Sequence, residues 1–284
     1  TETPEETEAK TSFVQLDKSQ TNIHFTNSVV ENEKQNYFNY AYIYTGAGCA
    51  AGDVDNDGLT DLYFTSNERG NKLYLNKGNF QFEDVTDKAG VAGTGKWTTG
   101  TAMIDVNSDG LLDIYVCKSG LTSAEERRNL LYINNGDLSF AEKAADFGLN
   151  NNGYSTSISQ LDYDKDGDLD IYLVNHRVDF KNNAKIIPNL KLPDEEFATD
   201  RLFRNNGDNT FTDVTDNAGI RNLAWGLSSS VGDFNGDGWE DIYVANDFLE
   251  PDFLYLNNHD GTFTESIKKV MKHISFYGMG SDYA

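Results

Sequence analysis

Four short acidic segments of this 284-residue chain carry oxygen ligands at a spacing that suits a hard metal ion. They are DVDNDGLTD at Asp53–Asp61, DVNSDGLLD at Asp105–Asp113, DYDKDGDLD at Asp162–Asp170 and DFNGDGWED at Asp233–Asp241. Each follows the pattern D-x-[DN]-x-D-G-x-x-D, which offers side-chain oxygens at positions 1, 3, 5 and 9 and a main-chain carbonyl at position 7. Gly at position 6 allows a sharp turn around an ion, and Ca²⁺ prefers oxygen ligands in this number.

The predicted ligands are five residues in each loop, for about four Ca²⁺ ions. The side-chain ligands are Asp53, Asp55, Asp57 and Asp61; Asp105, Asn107, Asp109 and Asp113; Asp162, Asp164, Asp166 and Asp170; and Asp233, Asn235, Asp237 and Asp241. The carbonyl ligands are those of Leu59, Leu111, Asp168 and Trp239. Polar Asp-Gly turns without metal are the alternative, but four loops that each concentrate like charges favour a neutralising cation. Mg²⁺ is less suitable because it retains its waters and needs stricter octahedral geometry.

The loops resemble an EF-hand loop over their first five positions only. Position 12, where an EF-hand has a bidentate Glu, is Phe64, Val116, Leu173 or Val244. The flanking residues are also typical of strands rather than helices. Because each loop supplies most of its own ligands between two strands, we predict a structural rather than a catalytic ion.

A longer repeat surrounds the acidic loops and predicts the elements that position them. A Tyr stands two residues after the last loop Asp, in a run typical of a β-strand. A second apolar run follows and ends in Asn. A Phe stands six residues after this Asn, and a Gly between the Asn and the Phe indicates a tight hairpin. In order of repeat, these residues are Tyr63, Asn76, Gly78 and Phe82; Tyr115, Asn134, Gly136 and Phe140; Tyr172, Asn205, Gly207 and Phe211; and Tyr243, Asn257, Gly261 and Phe263.

A strand of small residues precedes each acidic loop, so that one repeat contains four antiparallel strands. Such a unit is the blade of a β-propeller, and small residues suit the crowded innermost strand. The predicted fold class is therefore all-β, a propeller of four-stranded antiparallel blades. A solenoid or β-sandwich is the alternative, but sandwiches do not repeat a four-strand unit with matching loop chemistry.

The predicted domain organisation is an acidic flexible tail at 1–11 and a propeller at 12–284. The repeats lie roughly at 45–94, 95–150, 151–221 and 222–274, with partial blade strands at 12–24 and 275–284. Residues 13–23 resemble, with one residue inserted, the phrase that closes three of the repeats, and residues 277–284 match the phrase before an acidic loop. We therefore expect the chain to be part of a larger propeller of about seven blades.

The phrase GDVDNDGLTDLYF carries a family resemblance. It resembles the FG-GAP or VCBS repeat of integrin α-subunit propellers, and the chain apart from its tail is similar to bacterial VCBS proteins of the cartilage-acidic-protein type, many of them surface lipoproteins of Bacteroidota. The resemblance implies a calcium-binding propeller and a lipidated Cys upstream of Thr1. It implies little about function, because propellers host both binding and catalysis.

Composition excludes two classes of partner. With 46 acidic residues against 23 Lys and Arg, the net charge is −23 and the isoelectric point about 4.3. Nucleic-acid binding depends on clustered basic residues, so it is excluded. No apolar run is long enough for a transmembrane helix, so membrane attachment would require a lipid anchor. Cys49 and Cys117 are expected to be free thiols rather than a disulfide.

The face opposite the acidic loops varies most in sequence. The largest insertion, residues 175–200, is locally basic through His176, Arg177, Lys181, Lys185 and Lys191, and a smaller one ends in Arg127 and Arg128. Binding residues concentrate in long loops on rigid scaffolds, so these insertions are candidate binding sites. A solvated loop without a ligand is the alternative.

No catalytic constellation is visible, so the chain is predicted not to be an enzyme. The favoured function is a calcium-stabilised extracellular binding or scaffold module, a cell-surface or outer-membrane subunit that meets a protein partner or a glycan. The alternatives are a calcium-dependent polysaccharide lyase and a carbohydrate-binding accessory protein. An extracytoplasmic location is expected because extracellular calcium modules bind at about 10⁻⁴ to 10⁻³ M.

Overall fold

The computed structural model describes residues 13–93, 95, 97–178, 195–248, 250–275 and 277–283. It contains four four-stranded antiparallel sheets, one from each repeat, with the strands of each sheet in chain order. The strands are β1 Cys49–Gly52, β2 Asp61–Phe64, β3 Lys72–Asn76, β4 Phe82–Asp84, β5 Thr98–Ile104, β6 Asp113–Lys118, β7 Leu130–Asn134, β8 Phe140–Glu142, β9 Ser155–Leu161, β10 Asp170–Asn175, β11 Arg201–Asn205, β12 Phe211–Asp213, β13 Gly226–Gly232, β14 Asp241–Asn246, β15 Phe253–Asn257 and β16 Phe263–Glu265. The predicted all-β architecture of propeller blades is confirmed.

The helices are single turns outside the sheets. They are α1 Lys18–Thr21, α2 Thr86–Ala89, α3 Ala144–Phe147, α4 Glu195–Ala198, α5 Thr215–Ala218 and α6 Ile267–Val270, with a 3-10 turn at Ala41–Tyr44. Among the described residues, no helix has the length and apolar character needed to cross a membrane.

The pairing register brings the acidic loops and the Gly hairpins to the same edge of every blade. The last loop Asp is the first residue of the second strand and pairs with the last residue of the first strand, as Asp61 does with Gly52. At the same edge the hairpin joins the third and fourth strands, where Asn76 pairs with Phe82. The predicted sorting of the loops into two faces follows from this alternation.

The first strands of the four blades lie side by side, β1 next to β5, β5 next to β9 and β9 next to β13. The Gly48 N–H donates to the Thr99 carbonyl at 2.8 Å, and the Thr156 hydroxyl donates to the Gly226 carbonyl at 3.1 Å. A Cβ at Gly48 would lie 2.7 Å from the Thr99 oxygen, so the approach requires a residue without a side chain. This close approach explains the small residues on the predicted innermost strand.

The hydrophobic core lies between neighbouring blades. Three clusters of buried side chains fill the spaces between blades 1 and 2, 2 and 3, and 3 and 4. Members include Leu73 and Ile114 in the first, Leu131 and Ile171 in the second, and Leu202 and Ile242 in the third. Cys49 and Cys117 are both free thiols, as expected.

The Tyr that follows each acidic loop is buried in blades 1 to 3 and half-buried in blade 4, and its hydroxyl bonds to the polar residue just before the third strand. In blades 1 and 2 that residue is an Asn, and Asn129 donates to the Tyr115 hydroxyl at 3.1 Å. In blades 3 and 4 it is an Asp, and the Tyr172 hydroxyl donates to Asp200 at 2.7 Å. The Tyr therefore joins the middle strands of its blade through a polar contact, which is buried in blades 1 to 3.

The segment predicted to be an outer strand at 12–24 forms no strand among its described residues. It forms the one-turn helix α1, which ends at Asn22 in the left-handed region with a φ of 60°. The Asn22 amide donates to the Phe82 carbonyl at 3.0 Å. Gly90 lies beside the equivalent carbonyl of the next blade, that of Phe140. α1 therefore lies against blade 1 in the way that α2 lies against blade 2. An outer strand pairs only with the third strand of its own blade, and the described residues before α1 contain no such third strand.

Residues 277–283 run alongside β13 but do not form a β-strand with it. The Gly278 N–H donates to the Asn246 carbonyl at 3.0 Å, and the Ser281 hydroxyl lies 2.9 Å from that of Ser230. The Tyr283 hydroxyl donates to the Asp233 carbonyl at 3.2 Å. The predicted partial strand at 275–284 therefore lies beside the innermost strand of blade 4, while the proposed tail at 1–11 falls outside the described residues.

Candidate metal centres

The Asp at position 9 is held identically in all four loops. One oxygen of Asp61 accepts the Val54 N–H at 2.9 Å, and the other accepts the Asn76 N–H at 2.8 Å. Asp113, Asp170 and Asp241 accept the equivalent pairs of N–H groups. This carboxylate therefore fixes the acidic loop to the end of the third strand.

The Asn that ends the third strand is the second organiser of the loops. The side-chain oxygen of Asn134 accepts the Gly136 N–H at 3.0 Å, and its amide donates to the Val54 carbonyl of the preceding blade at 2.8 Å. Asn257 donates likewise to the Tyr163 carbonyl at 2.8 Å. The sequence shows this Asn in every repeat. Its hydrogen bond to the loop of the neighbouring blade becomes visible only when the two blades are placed side by side.

Loop 1 brings three of its predicted side-chain ligands together. One carboxylate oxygen from each of Asp53, Asp55 and Asp61 lies within 4.8 Å of the others. Asp53 also accepts the N–H groups of Asp57 and Gly58, at 3.1 and 2.7 Å. Asp55 Oδ1 is buried and has no hydrogen-bond partner. A buried, unpartnered carboxylate oxygen aimed into a cluster of oxygens fits a cation.

Loop 3 forms the second cluster, from Asp162, Asp164 and Asp166. Both Asp162 Oδ1 and Asp164 Oδ1 are buried without a hydrogen-bond partner. Burial and the neighbouring Asp166 raise the pKa of Asp164. The Asp162 N–H donates to Glu240 of the next acidic loop at 2.8 Å, so loops 3 and 4 are in contact.

Loops 2 and 4 differ because they have Asn at position 3. Asn107 donates to Asp109 at 2.9 Å, and Asn235 donates to Asp237 at 2.8 Å. Asp237 is also 2.8 Å from the Nε2 atom of His259. Among the described residues, neither loop brings three carboxylates within 4.8 Å of one another. In loops 2 and 4 a neutral Asn amide therefore stands where loops 1 and 3 have a charged Asp carboxylate.

The remaining predicted ligands lie within the same loops but outside the two three-carboxylate clusters. Asp57 and Asp170 are not members of the clusters of loops 1 and 3. The position-7 residues donate their N–H groups to the position-5 carboxylates; Leu59 donates to Asp57 at 2.8 Å and Trp239 to Asp237 at 2.9 Å. Ligation by the carbonyls of Leu59, Leu111, Asp168 and Trp239 stays a prediction.

The electrostatics of the buried position-9 carboxylates are unfavourable without a cation. Burial raises the pKa of Asp113 to about 6 and that of Asp170 to about 7, in spite of the N–H groups that lower it. The other carboxylates of each loop raise it further. Because the raised pKa means that ionisation is less favourable there than in water, keeping all loop carboxylates ionised costs energy that a divalent ion would offset.

The basic candidates on the opposite face are partly wrong, because three of them are buried. His176 and Arg177 are 1% and 3% exposed, and burial lowers the pKa of His176 to about 3. The Arg127 guanidinium packs 4.0 Å from the centroid of Tyr154. These side chains pack beside Tyr154 and Trp225, just before the innermost strands β9 and β13, instead of facing a ligand; this end of the space between the innermost strands is called the channel end below. Arg128 forms a surface ion pair with Glu125 at 2.8 Å, and Lys181, Lys185 and Lys191 lie outside the described residues.

His176 also forms a contact that resembles part of a catalytic site. Its Nε2 atom lies 3.0 Å from the Ser119 hydroxyl, but its Nδ1 atom has no partner. Ser119 is fully buried beneath Tyr40, so the hydroxyl is not accessible to a substrate. Among the described residues, the pair has neither the orienting carboxylate nor the open position of a nucleophilic site.

The connection before β1, residues 23–48, covers this end of the channel. Tyr40, Tyr42 and Ile43 are buried there and pack with Trp97 and Trp225. The sequence shows an aromatic eight residues before each of the last three acidic loops, at Trp97, Tyr154 and Trp225, but no such repeat signal marks the long connection upstream of β1. Its position over the channel was therefore missed by sequence reasoning.

Comparison with known proteins shows one family over most of the chain. The family described as FG-GAP-like repeat matches residues 53–116, 121–173, 194–244 and 233–282. Cartilage acidic protein 1 of Xenopus tropicalis is 28% identical over 208 residues, which cover 71% of this chain and 29% of that protein. Cartilage acidic protein 1 of Mus musculus is 26% identical over 205 residues, which cover 70% and 28%. The chain spans less than a third of the length of these relatives.

A solved structure of an Agrocybe aegerita lectin with specific recognition of non-reducing terminal N-acetylglucosamine is also similar. The TM-score is 0.41 at 21% identity, and the match covers 75% of this chain and 50% of that chain.

Proposed function

The chain belongs to the family of FG-GAP-like repeat proteins, and from this premise we propose that it is a calcium-stabilised extracellular β-propeller that serves as a binding or scaffold module. The observation that carries the calcium role is the set of buried carboxylate oxygens without partners, Asp55 Oδ1, Asp162 Oδ1 and Asp164 Oδ1. Unpaired buried charge is costly, and a divalent ion bound by oxygen ligands removes that cost.

Calcium at these loops would act on the fold because each loop connects the first two strands of a blade. The position-9 Asp is bonded to the third strand, and the third-strand Asn of two blades is bonded to the loop of the blade before. An ion held by the loop therefore stabilises contacts within a blade and between neighbouring blades. Loops 1 and 3, with three convergent carboxylates each, are the sites of highest expected affinity.

Binding of a partner is assigned to the opposite face, where the connections are long. The proposed ions occupy the blade edges that carry the acidic loops. At the opposite edges lie the connections between the second and third strands of a blade and those from the fourth strand to the next blade, and these connections vary in length. Among the described residues, this face has exposed aromatic side chains at Tyr37, Phe38 and Tyr44. Long surface loops on a rigid scaffold are common sites of recognition.

A binding role is favoured over catalysis at this face. A lyase would need accessible basic side chains beside a phenol; Tyr37 and Tyr44 are exposed at this face, but His176, Arg177 and Arg127 are buried. The buried Ser119 and His176 pair has no access to a substrate. The proposed location is extracytoplasmic, because weak calcium modules of about 10⁻⁴ to 10⁻³ M are filled only outside the cytosol. Attachment to an outer membrane through a lipid anchor stays a prediction.

Thermal unfolding tests the calcium role. We expect the melting temperature to fall in EDTA and to recover on addition of millimolar Ca²⁺, with a much smaller recovery in Mg²⁺. A melting temperature that is the same in EDTA and in Ca²⁺ would contradict a structural calcium role. An equal recovery in Mg²⁺ would contradict calcium selectivity.

A further inference from the structure

A small pocket opens on the face opposite the acidic loops and has features of a ligand site. Its volume is about 250 Å³, and its lining includes Tyr37, Tyr42, Tyr44, Asp247 and Phe248. The first three belong to the connection that covers the channel, and the last two follow β14 in blade 4. The volume lies below the range of about 300–1,000 Å³ for drug-sized ligands, so it suits a small head group.

Asp247 supplies a charge to this pocket without a basic partner. The residue is 9% exposed, its Oδ1 atom accepts the Phe248 N–H at 2.7 Å, and its Oδ2 atom accepts the Tyr42 hydroxyl at 3.3 Å. Among the described residues, no Lys, Arg or His forms an ion pair with it. Buried carboxylates are normally paired, so the contacts of Asp247 leave a place for a cationic ligand.

The aromatic walls are held in place before any ligand arrives. The Glu31 carboxylate accepts the Tyr37 N–H at 2.9 Å, and the Thr45 hydroxyl donates to the Tyr42 carbonyl at 2.7 Å. Tyr37 and Tyr44 are nevertheless 56% and 63% exposed. Phe248 has a φ of 68°, a conformation that is rare for a bulky residue and that is concentrated at binding sites.

We propose that this pocket binds a small organic cation of the quaternary ammonium type, such as free choline. The faces of aromatic rings attract cations, and several rings around one carboxylate form a cage for a quaternary ammonium group. Such a group donates no hydrogen bonds, which matches a carboxylate whose two oxygens already accept bonds. A neutral sugar would need polar partners for its hydroxyls. The net charge of −23 also attracts cations to the surface.

This inference names a ligand for the binding role proposed above, and it rests on that role because both use the same face. The pocket lies at the end of the channel away from the acidic loops, so the ion sites and the ligand site are separate. Failure of calcium to stabilise the chain would not affect the pocket, and failure of choline to bind would not affect the calcium loops.

Calorimetric titration of the calcium-saturated chain with choline tests the proposal. The control ligand is 3,3-dimethylbutan-1-ol, which has the same shape without the charge. We expect saturable binding of one choline per chain and binding of the neutral analogue that is at least about 10-fold weaker. Absence of choline binding, or equal binding of the neutral analogue, would overturn the proposal. Saturable binding of glucose in place of choline would overturn it as well.

Variants locate the site. Asp247→Asn retains an acceptor for the Phe248 N–H, and Tyr44→Leu changes an exposed wall, so both are expected to fold. Each should weaken choline binding about 10-fold at an unchanged melting temperature. Phe80→Ala, which removes an exposed aromatic outside the pocket, should bind choline as the unmodified chain does. If Tyr44→Leu is folded and binds choline with unchanged affinity, the pocket is not the site.

Discussion

Replacing Asp55 with Asn is expected to stabilise the calcium-free chain and to weaken its response to calcium. Loops 2 and 4 already have Asn at this position, where it donates to the position-5 Asp at 2.9 and 2.8 Å. The variant therefore converts loop 1 to the form of its neighbours. It removes one carboxylate from the cluster and offers a new hydrogen bond to Asp57.

The size of the effect follows from the separation of the charges. The carboxylate oxygens of Asp53, Asp55 and Asp61 lie within 4.8 Å of one another. Two like charges at that distance repel by about 3 kcal/mol at an effective dielectric constant of about 20. Contact with solvent reduces this to about 1 kcal/mol. For a domain of this size, 1 kcal/mol corresponds to a rise in melting temperature of about 2–4 °C.

In calcium the sign reverses, because the affinity of such loops depends on the number of charged ligands. Loss of one carboxylate should weaken binding at loop 1 about 10-fold. Calorimetric melts of Asp55→Asn and of the unmodified chain, in EDTA and in millimolar calcium, measure both effects. Asp87→Asn, which removes one exposed charge outside the loops, is the control. A variant that is less stable than the unmodified chain in EDTA, or equally stabilised by calcium, would refute the reasoning.

Three further variants test the blade contacts. Burial raises the pKa of Asp200 to about 6 from 3.8, so the stability that its neutral form contributes is complete below pH 4 and is lost as the pH rises through 6. Asp200→Asn, which copies the Asn129 of blade 2, should gain up to about 3 kcal/mol relative to the unmodified chain between pH 4 and pH 7 in urea titrations; a difference independent of pH would contradict this. Tyr115→Phe should cost about 1–3 kcal/mol in the same titrations, because Asn129 loses a buried partner; an unchanged midpoint would exclude that contact. Gly100→Ala should cost about 1–3 kcal/mol, since its Cβ would meet the Thr156 carbonyl, whereas Gly280→Ala, with open space around it, should change stability by less than about 0.5 kcal/mol; equal melting temperatures would contradict the close approach.

The blades and their acidic loops could be predicted because their signals are local and periodic. The loop positions Asp53 to Asp61 and the step from Asn76 to Phe82 recur at fixed spacing in every repeat, so the strand order and the shared edge follow from the sequence alone. The repeated phrase at 13–23 predicted an outer strand, but the described residues there form the one-turn helix α1 and no strand. Strand formation there depends on a pairing partner that the local pattern does not contain.

The channel end could not be predicted because it depends on contacts between distant segments. His176 and Arg177 look like solvent-exposed bases in sequence, yet both are buried. His176 packs against Tyr40 and Tyr42 of a connection more than 130 residues away, and the Arg177 guanidinium lies 4.3 Å from the ring centroid of Trp225. Asp247 similarly reads as one acid among 46. Its place in an aromatic pocket appears only when blade 4 and the connection before β1 are brought together.

Anomalous X-ray diffraction from crystals grown in calcium would test the central claim most directly, because it locates each ion. The account predicts calcium density in loop 1 among Asp53, Asp55 and Asp61 and in loop 3 among Asp162, Asp164 and Asp166, with loops 2 and 4 filled at higher calcium concentration. Well-ordered loops 1 and 3 without calcium density at millimolar calcium would contradict it.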